Sequence, residues 1–129
     1  MDQDGKKVLL IEDDEFLAQL LADKFKKVGF NFDVAPDAEK GLAKVRENIC
    51  DLVVLDIILP GMDGFEALRR MKADQAMAKI PVLVLSNLGQ QEEIKLGLSM
   101  GAETYLVKAQ VSLDEIVGEI NRILARKSS

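Results

Sequence analysis

The chain has 129 residues, a net charge of -5 at pH 7, one cysteine and no histidine. That length suits one domain able to bury about two-thirds of its unfolded surface. The acidic balance argues against a surface built on phosphate contacts to nucleic acid, and the missing histidine excludes Ser-His and Cys-His catalysis within the chain.

No apolar run approaches the roughly 20 residues needed to cross a bilayer, and the start, Met1-Asp2-Gln3-Asp4-Gly5, is acidic and polar, unlike a signal peptide. A cytoplasmic protein with no membrane contact is the expectation. Cys50 cannot close an internal disulfide and reads as a small buried filler.

Five short aliphatic runs alternate with longer helical patterns. The runs cover residues 8–11, 32–35, 52–55, 82–85 and 105–107, and most are continuously apolar, as strands covered on both faces are. Asp33 interrupts the second, which therefore reads as an edge strand. After the first run, Leu17, Leu20, Leu21, Phe25 and Val28 recur at helical spacing, and Gly29 supplies the stop. A second helix is expected over about 37–47, with Ala38, Leu42 and Val45 inward. A third follows Asp63, which stands three residues before Glu66 as in a capping box. A fourth is expected over about 90–100, ending at Gly101. The last opens with a second capping box, Ser112 and Glu115, and carries the stripe Leu113, Ile116, Val117, Ile120 and Leu124. The alternation predicts an α/β fold, a doubly wound parallel sheet with helices on both faces and right-handed crossovers. The expectation is a single domain over 1–129, with its core at about 7–124 and no output domain.

What stands at the carboxyl end of each predicted strand is more informative. The first strand ends in Glu12, Asp13 and Asp14, the third in Asp56, the fourth in Ser86 and the fifth in Lys108. Each has an ordinary reading alone: a helix start, a turn towards Pro60 and Gly61, a strand-end serine, a solvated lysine. Open α/β sheets, however, bind ligands outside the carboxyl ends of their strands. Four strands would deliver acids, a hydroxyl and an amine to one edge. Clustered carboxylates call for a hard divalent cation such as Mg²⁺ or Mn²⁺. A carboxylate nucleophile can form an aspartyl phosphate, while lysine and hydroxyl stabilise the charge on the transferring group. Asp56, after a fully apolar strand, is the best-placed acceptor.

These motifs resemble the receiver domains of two-component response regulators. The matching segments are Val-Leu-Leu-Ile-Glu-Asp-Asp at 8–14, Leu-Val-Val-Leu-Asp at 52–56, Leu-Pro-Gly-Met-Asp-Gly-Phe-Glu at 59–66, Pro-Val-Leu-Val-Leu-Ser at 81–86 and Gly-Ala-Glu-Thr-Tyr-Leu-Val-Lys at 101–108. The resemblance implies a flavodoxin-like five-stranded sheet of order 2-1-3-4-5. It implies phosphorylation of Asp56 by a sensor histidine kinase or histidine phosphotransfer protein. Metal would be held by Asp13, by Glu12 largely through water, by Asp56 and by the backbone carbonyl of Ile58. Lys108 would bind the phosphoryl oxygens, with Ser86 and Tyr105 as the switch pair. Asp14 is left as the cap of the first helix. The chain would be a signalling phosphoacceptor rather than an enzyme, catalysing only its own metal-dependent phosphorylation and dephosphorylation. It would act on a downstream protein without touching DNA, as a monomer or a weak homodimer through the last two helices.

The sequence departs from that pattern in three places. Lys108 is followed by Ala109 where the family usually has proline, which predicts a trans bond and a less firmly placed lysine. Asn87 stands where a small residue is common. Ile58 and Leu88, two beyond Asp56 and Ser86, cannot orient water, which predicts a long-lived aspartyl phosphate. A phosphatase of the haloacid-dehalogenase type would need a second acid at position 58. A flavodoxin-like cofactor binder would need a glycine- or hydroxyl-rich phosphate loop after the first strand. A receiver-like binding module that no longer takes phosphate is the alternative kept open by Ala109 and Asn87.

Overall fold

The computed structural model describes residues 5–128; the acidic start at 1–4 lies outside them. Its elements alternate as β1 (Lys7–Ile11), α1 (Glu15–Lys27), β2 (Asn31–Ala35), α2 (Ala38–Glu47), β3 (Leu52–Leu55), α3 (Gly64–Ala73), β4 (Val82–Ser86), α4 (Gln91–Ser99), β5 (Thr104–Val107) and α5 (Leu113–Ser128). The strands form one parallel sheet of order β2-β1-β3-β4-β5, as expected.

The apolar runs are continuous because each strand supplies two cores. Leu9, Ile11, Val53, Leu55, Val82 and Val84 pack on one face with side chains from α2 and α3. On the other face, Val8, Leu10, Leu52, Val54, Leu83 and Leu85 meet α1 and α5. Successive side chains of a strand point to opposite faces, so an alternating pattern would have left one face wet. Cys50 is buried as predicted, and burial pushes its thiol up to about 11, leaving it inert near neutral pH.

β2 lies at an edge of the sheet. Its Asp33 accepts the Val34 N–H at 2.8 Å and pairs with Lys44 at 2.9 Å. A charged side chain folded onto its own backbone occupies a donor that another strand could otherwise recruit.

Helix starts follow the sequence closely. Asp14 accepts the N–H groups of Phe16 and Leu17, Asp37 that of Lys40, and Ser112 and Glu115 close their reciprocal box. The box at Asp63 is only half formed. Asp63 accepts the Glu66 N–H, but the Glu66 carboxylate turns to Arg69 and Arg70, which hold it down to about 2. The two neighbouring guanidiniums compete successfully with one backbone N–H. In α1, Leu20 faces solvent, as does Val28 just past the helix end, while Ala18, Leu21 and Phe25 make the buried stripe. Gly29 and Gly101 end α1 and α4 with φ of +92° and +108°, a backbone region in which a Cβ is strained.

Residues 74–80 escape a reading by periodicity because they carry no period. Asp74 accepts the N–H groups of Ala76 and Met77, and Lys72 donates to the carbonyls of Ala78 and Ile80. This closed turn drives Met77 wholly into the core. We predict that Met77→Ala destabilises the protein by about 2–5 kcal/mol, read from the urea midpoint at unchanged m-value. A loss under about 1 kcal/mol would mean that the turn collapses to fill the cavity.

Candidate functional site

The parallel sheet brings the carboxyl ends of four strands to one edge. Glu12 and Asp13 follow β1, Asp56 follows β3, Ser86 closes β4, and Lys108 follows β5. The ladder runs on into the acids: the Glu12 N–H donates to Ala35 and the Asp56 N–H to Ile11. Both carboxylates therefore stand on rigid backbone. Glu12, Asp56 and Ser86 are buried, at 2%, 4% and 0% exposure, whereas Asp13 lies open.

Lys108 bridges the two buried acids. Its Nζ is 2.8 Å from Glu12 Oε1 and 2.9 Å from Asp56 Oδ2. The second oxygen of each acid meets backbone: Glu12 Oε2 accepts the Asp14 N–H at 3.0 Å, and Asp56 Oδ1 accepts the Ile58 N–H at 3.1 Å. Ile58 thus enters the site through its amide, with its side chain largely in solvent. The contact of Lys108 with Asp56 has hydrogen-bond geometry; that with Glu12 Oε1 is close enough for an ion pair but poorly directed, and this buried oxygen has no hydrogen bond. We read it as electrostatic contact with a remaining unfilled lone pair.

The charges explain the titration of the site. Burial pushes the Glu12 carboxyl up, the Lys108 ammonium and the Asp14 N–H pull it back in part, and the Asp56 charge adds to the rise. Burial works against the charged form of Lys108, but its contacts with the Glu12 and Asp56 carboxylates outweigh that and hold the lysine above its ordinary value. Oxygens of Glu12, Asp13 and Asp56 lie within 4.8 Å of one another. One ammonium cannot neutralise three carboxylates, and Glu12 Oε1 retains a free lone pair. An all-oxygen donor set of this charge fits a hard divalent cation.

Ser86 and Tyr105 form a second group linked through Leu88. Ser86 Oγ accepts the Leu88 N–H at 3.3 Å, and the Tyr105 hydroxyl donates to the Leu88 carbonyl at 2.6 Å. Burial raises the Tyr105 pKa, and the charges of Glu93 and Asp56 raise it further. Leu88 stands out in the sequence only as an apolar neighbour of the site; its backbone role leaves no sequence signal. Gly64 likewise carries no signal of its own. A Cβ there would come within 2.4 Å of the Asp56 carbonyl, so only glycine lets α3 start this close to the acceptor loop. Asn87 is exposed. The Lys108–Ala109 bond is trans, there being no cis peptide among the described residues, and Lys108 opens a short 3₁₀ turn to Gln110. Two ion pairs hold the Lys108 head group in this structure.

The family model described as the response regulator receiver domain matches residues 8–121. The chain belongs to that family. Among curated relatives, this receiver domain is 35% identical over 117 residues to the gliding motility regulatory protein of Myxococcus xanthus, covering 91% of the chain and 15% of the relative. It is 33% identical over 120 residues to the DNA-binding dual master transcriptional regulator RpaA of Synechocystis, covering 93% and 49%. The chain thus spans about half or less of these two relatives. Among solved structures, the receiver domain of the Francisella response regulator 1452 superposes with a TM-score of 0.89 at 32% identity, covering 95% of this chain and 99% of that one. The receiver domain is a module of two-component signalling, and no helix among its described residues is long and apolar enough to cross a membrane.

The Lys108 bridge makes stability depend on pH in a definite sense. Glu12 is held up in the folded chain, so the unfolded chain releases that proton first and stability falls as pH rises above the ordinary carboxylate range. Lys108 is also held up, so its contribution is complete below the ordinary lysine range and is lost as pH rises through its folded value. We predict that Lys108→Ala costs about 2–4 kcal/mol at pH 7 in EDTA, and less near pH 4, where Glu12 keeps its proton. Urea unfolding at the two pH values checks this; an equal loss at both would contradict it.

Proposed function

We propose that this receiver domain accepts a phosphoryl group on Asp56 from a phosphohistidine of a sensor histidine kinase or histidine phosphotransfer protein. The observation that carries the reading is the sharing of Lys108 Nζ between Glu12 and Asp56, with the Asp13 carboxylate beside them. Glu12, Asp13, Asp56 and the Ile58 carbonyl would hold Mg²⁺ or Mn²⁺. When bound, the ion supplies positive charge against the carboxylates and the phosphoryl oxygens.

The chain's own residues do the rest. An Asp56 oxygen forms the new bond to phosphorus while the bond from phosphorus to the donor imidazole nitrogen breaks, its electron pair staying on the ring. Lys108 already sits on an Asp56 oxygen and meets the negative charge that the phosphoryl group brings. The Ile58 N–H orients the carboxylate through its other oxygen. Ser86, at the end of the neighbouring strand, turns its hydroxyl towards the new oxygens, and its partner Leu88 passes the movement to Tyr105. The surface of α4, β5 and α5 then carries the signal to a downstream protein. The domain acts in the cytoplasm as a phosphoacceptor that catalyses only its own phosphorylation and dephosphorylation. With a net charge of -5 it makes no DNA contact of its own, and any self-association is a weak pairing through the last two helices.

Intact mass after incubation with Mg²⁺ and acetyl phosphate tests the reading. One added phosphoryl group is expected, absent in Asp56→Asn. Ile58 and Leu88 bring no side chain able to orient an attacking water, so the adduct is expected to persist for much longer than seconds in Mg²⁺ buffer. If neither acetyl phosphate nor a panel of histidine kinases adds phosphate, the binding-module alternative takes its place; decay within seconds would refute the long lifetime.

A further inference from the structure

α4 is held to the sheet in an unusual way: among its residues, 91–99, only Gly97 is buried. That glycine lies flat against the ring of Tyr105. A Cβ at position 97 would stand 2.8 Å from Tyr105 Cδ2 and 3.1 Å from Cε2, with Phe65 Cε1 next at 3.9 Å. The first distance is shorter than side-chain carbons tolerate, so something would have to move. The α4 backbone is braced at both ends, by Glu93 on the Gln90 N–H and by the Met100 N–H on Leu96. β5 is paired in register with β4. The ring of Tyr105 is the part free to give way. In doing so it would withdraw its hydroxyl from the Leu88 carbonyl, and Leu88 is the residue that also donates to Ser86 Oγ.

We propose that Gly97 is a positioning residue of the switch: the missing Cβ on α4 is what keeps Tyr105 seated against the helix and bonded to Leu88. The placement of α4 and the loop that carries Ser86 are thereby coupled through one ring. The significance of this contact for signalling rests on the proposed function; the contact itself does not. The residue is also the reverse of what helix formation alone favours, since glycine in a helix interior weakens it relative to alanine.

The protein supplies its own probe and control. Tyr105 is the single tyrosine and there is no tryptophan, so tyrosine emission reports this ring alone. Gly118, inside α5, has nothing within 4 Å of its would-be Cβ. Gly97→Ala and Gly118→Ala make the same chemical change in two helices, and only the first meets the ring. In the unphosphorylated protein, acrylamide quenching of Tyr105 is expected to rise roughly twofold in Gly97→Ala, as a half-shielded ring opens on both faces, and to stay unchanged in Gly118→Ala. A double-mutant cycle with Tyr105→Ala gives a second readout: once the ring is gone, the effect of Gly97→Ala on the urea midpoint should become the helix-propensity gain that Gly118→Ala shows. Unchanged quenching in folded Gly97→Ala, or an equal effect of Gly97→Ala with and without the ring, would overturn the proposal. Treatment with Mg²⁺ and acetyl phosphate separates this from the functional reading. The phosphorylation-dependent change in Tyr105 quenching seen in the wild type should be lost in Gly97→Ala, whose added phosphoryl mass stays. A retained change would overturn the coupling. A wild type that takes no phosphate would count against the acceptor reading, while the quenching and cycle results would still decide the contact.

Discussion

The ammonium of Lys108, 2.8 Å from Glu12 and 2.9 Å from Asp56, makes this constellation of charges compatible with a folded chain. Two nearly buried carboxylates at neighbouring strand ends repel each other, and burial raises the free energy of each charge. A cation between them offsets both effects. It does so incompletely, because Asp13 adds a third carboxylate and one Glu12 oxygen keeps no hydrogen bond. The residual negative charge is the physical basis for a divalent cation, and a phosphoryl group on Asp56 would find a positive partner already in place.

The topology concentrates this charge at one end of the molecule. In a parallel sheet with right-handed crossovers, every helix begins at the edge where the strands end. Acids occupy the first turns of α1 to α5, and Asp14, Asp37 and Asp63 cap three of the helices. Lysines and arginines fill the last turns of α1, α2 and α3. Each choice suits its own helix dipole. Their sum is a molecule polarised along its strands, with the site at the acidic end and the partial positive charges of the helix N-termini aimed towards it.

Much of this was legible in the residues, for definite reasons. Residues 52–55 and 82–85 read as central strands because two covered faces demand unbroken apolar runs. Asp33 marked an edge because only an edge tolerates a charge there. Glu12, Asp13, Asp56, Ser86 and Lys108 could be gathered because strand ends in such sheets share one rim. What remained hidden depends on three-dimensional proximity with no local period. The closed turn at 74–80, the bridging of two particular acids by Lys108, and the link of Ser86 to Tyr105 through the Leu88 backbone are of this kind. The half-formed box at Asp63 shows a local rule losing to a stronger neighbour, since Glu66 has two arginines within reach on its own helix.

Relatives of greater length join such a domain to other parts, and this chain spans 15% of one and 49% of another. The decisive question is therefore local: which oxygen takes the phosphoryl group. Borohydride reduction of freshly phosphorylated protein converts an acyl phosphate to an alcohol and marks its position for peptide mapping. A single mark, at Asp56, is the predicted result. A mark at Asp13 or Glu12, or a phosphate on Ser86 that resists reduction, would contradict it.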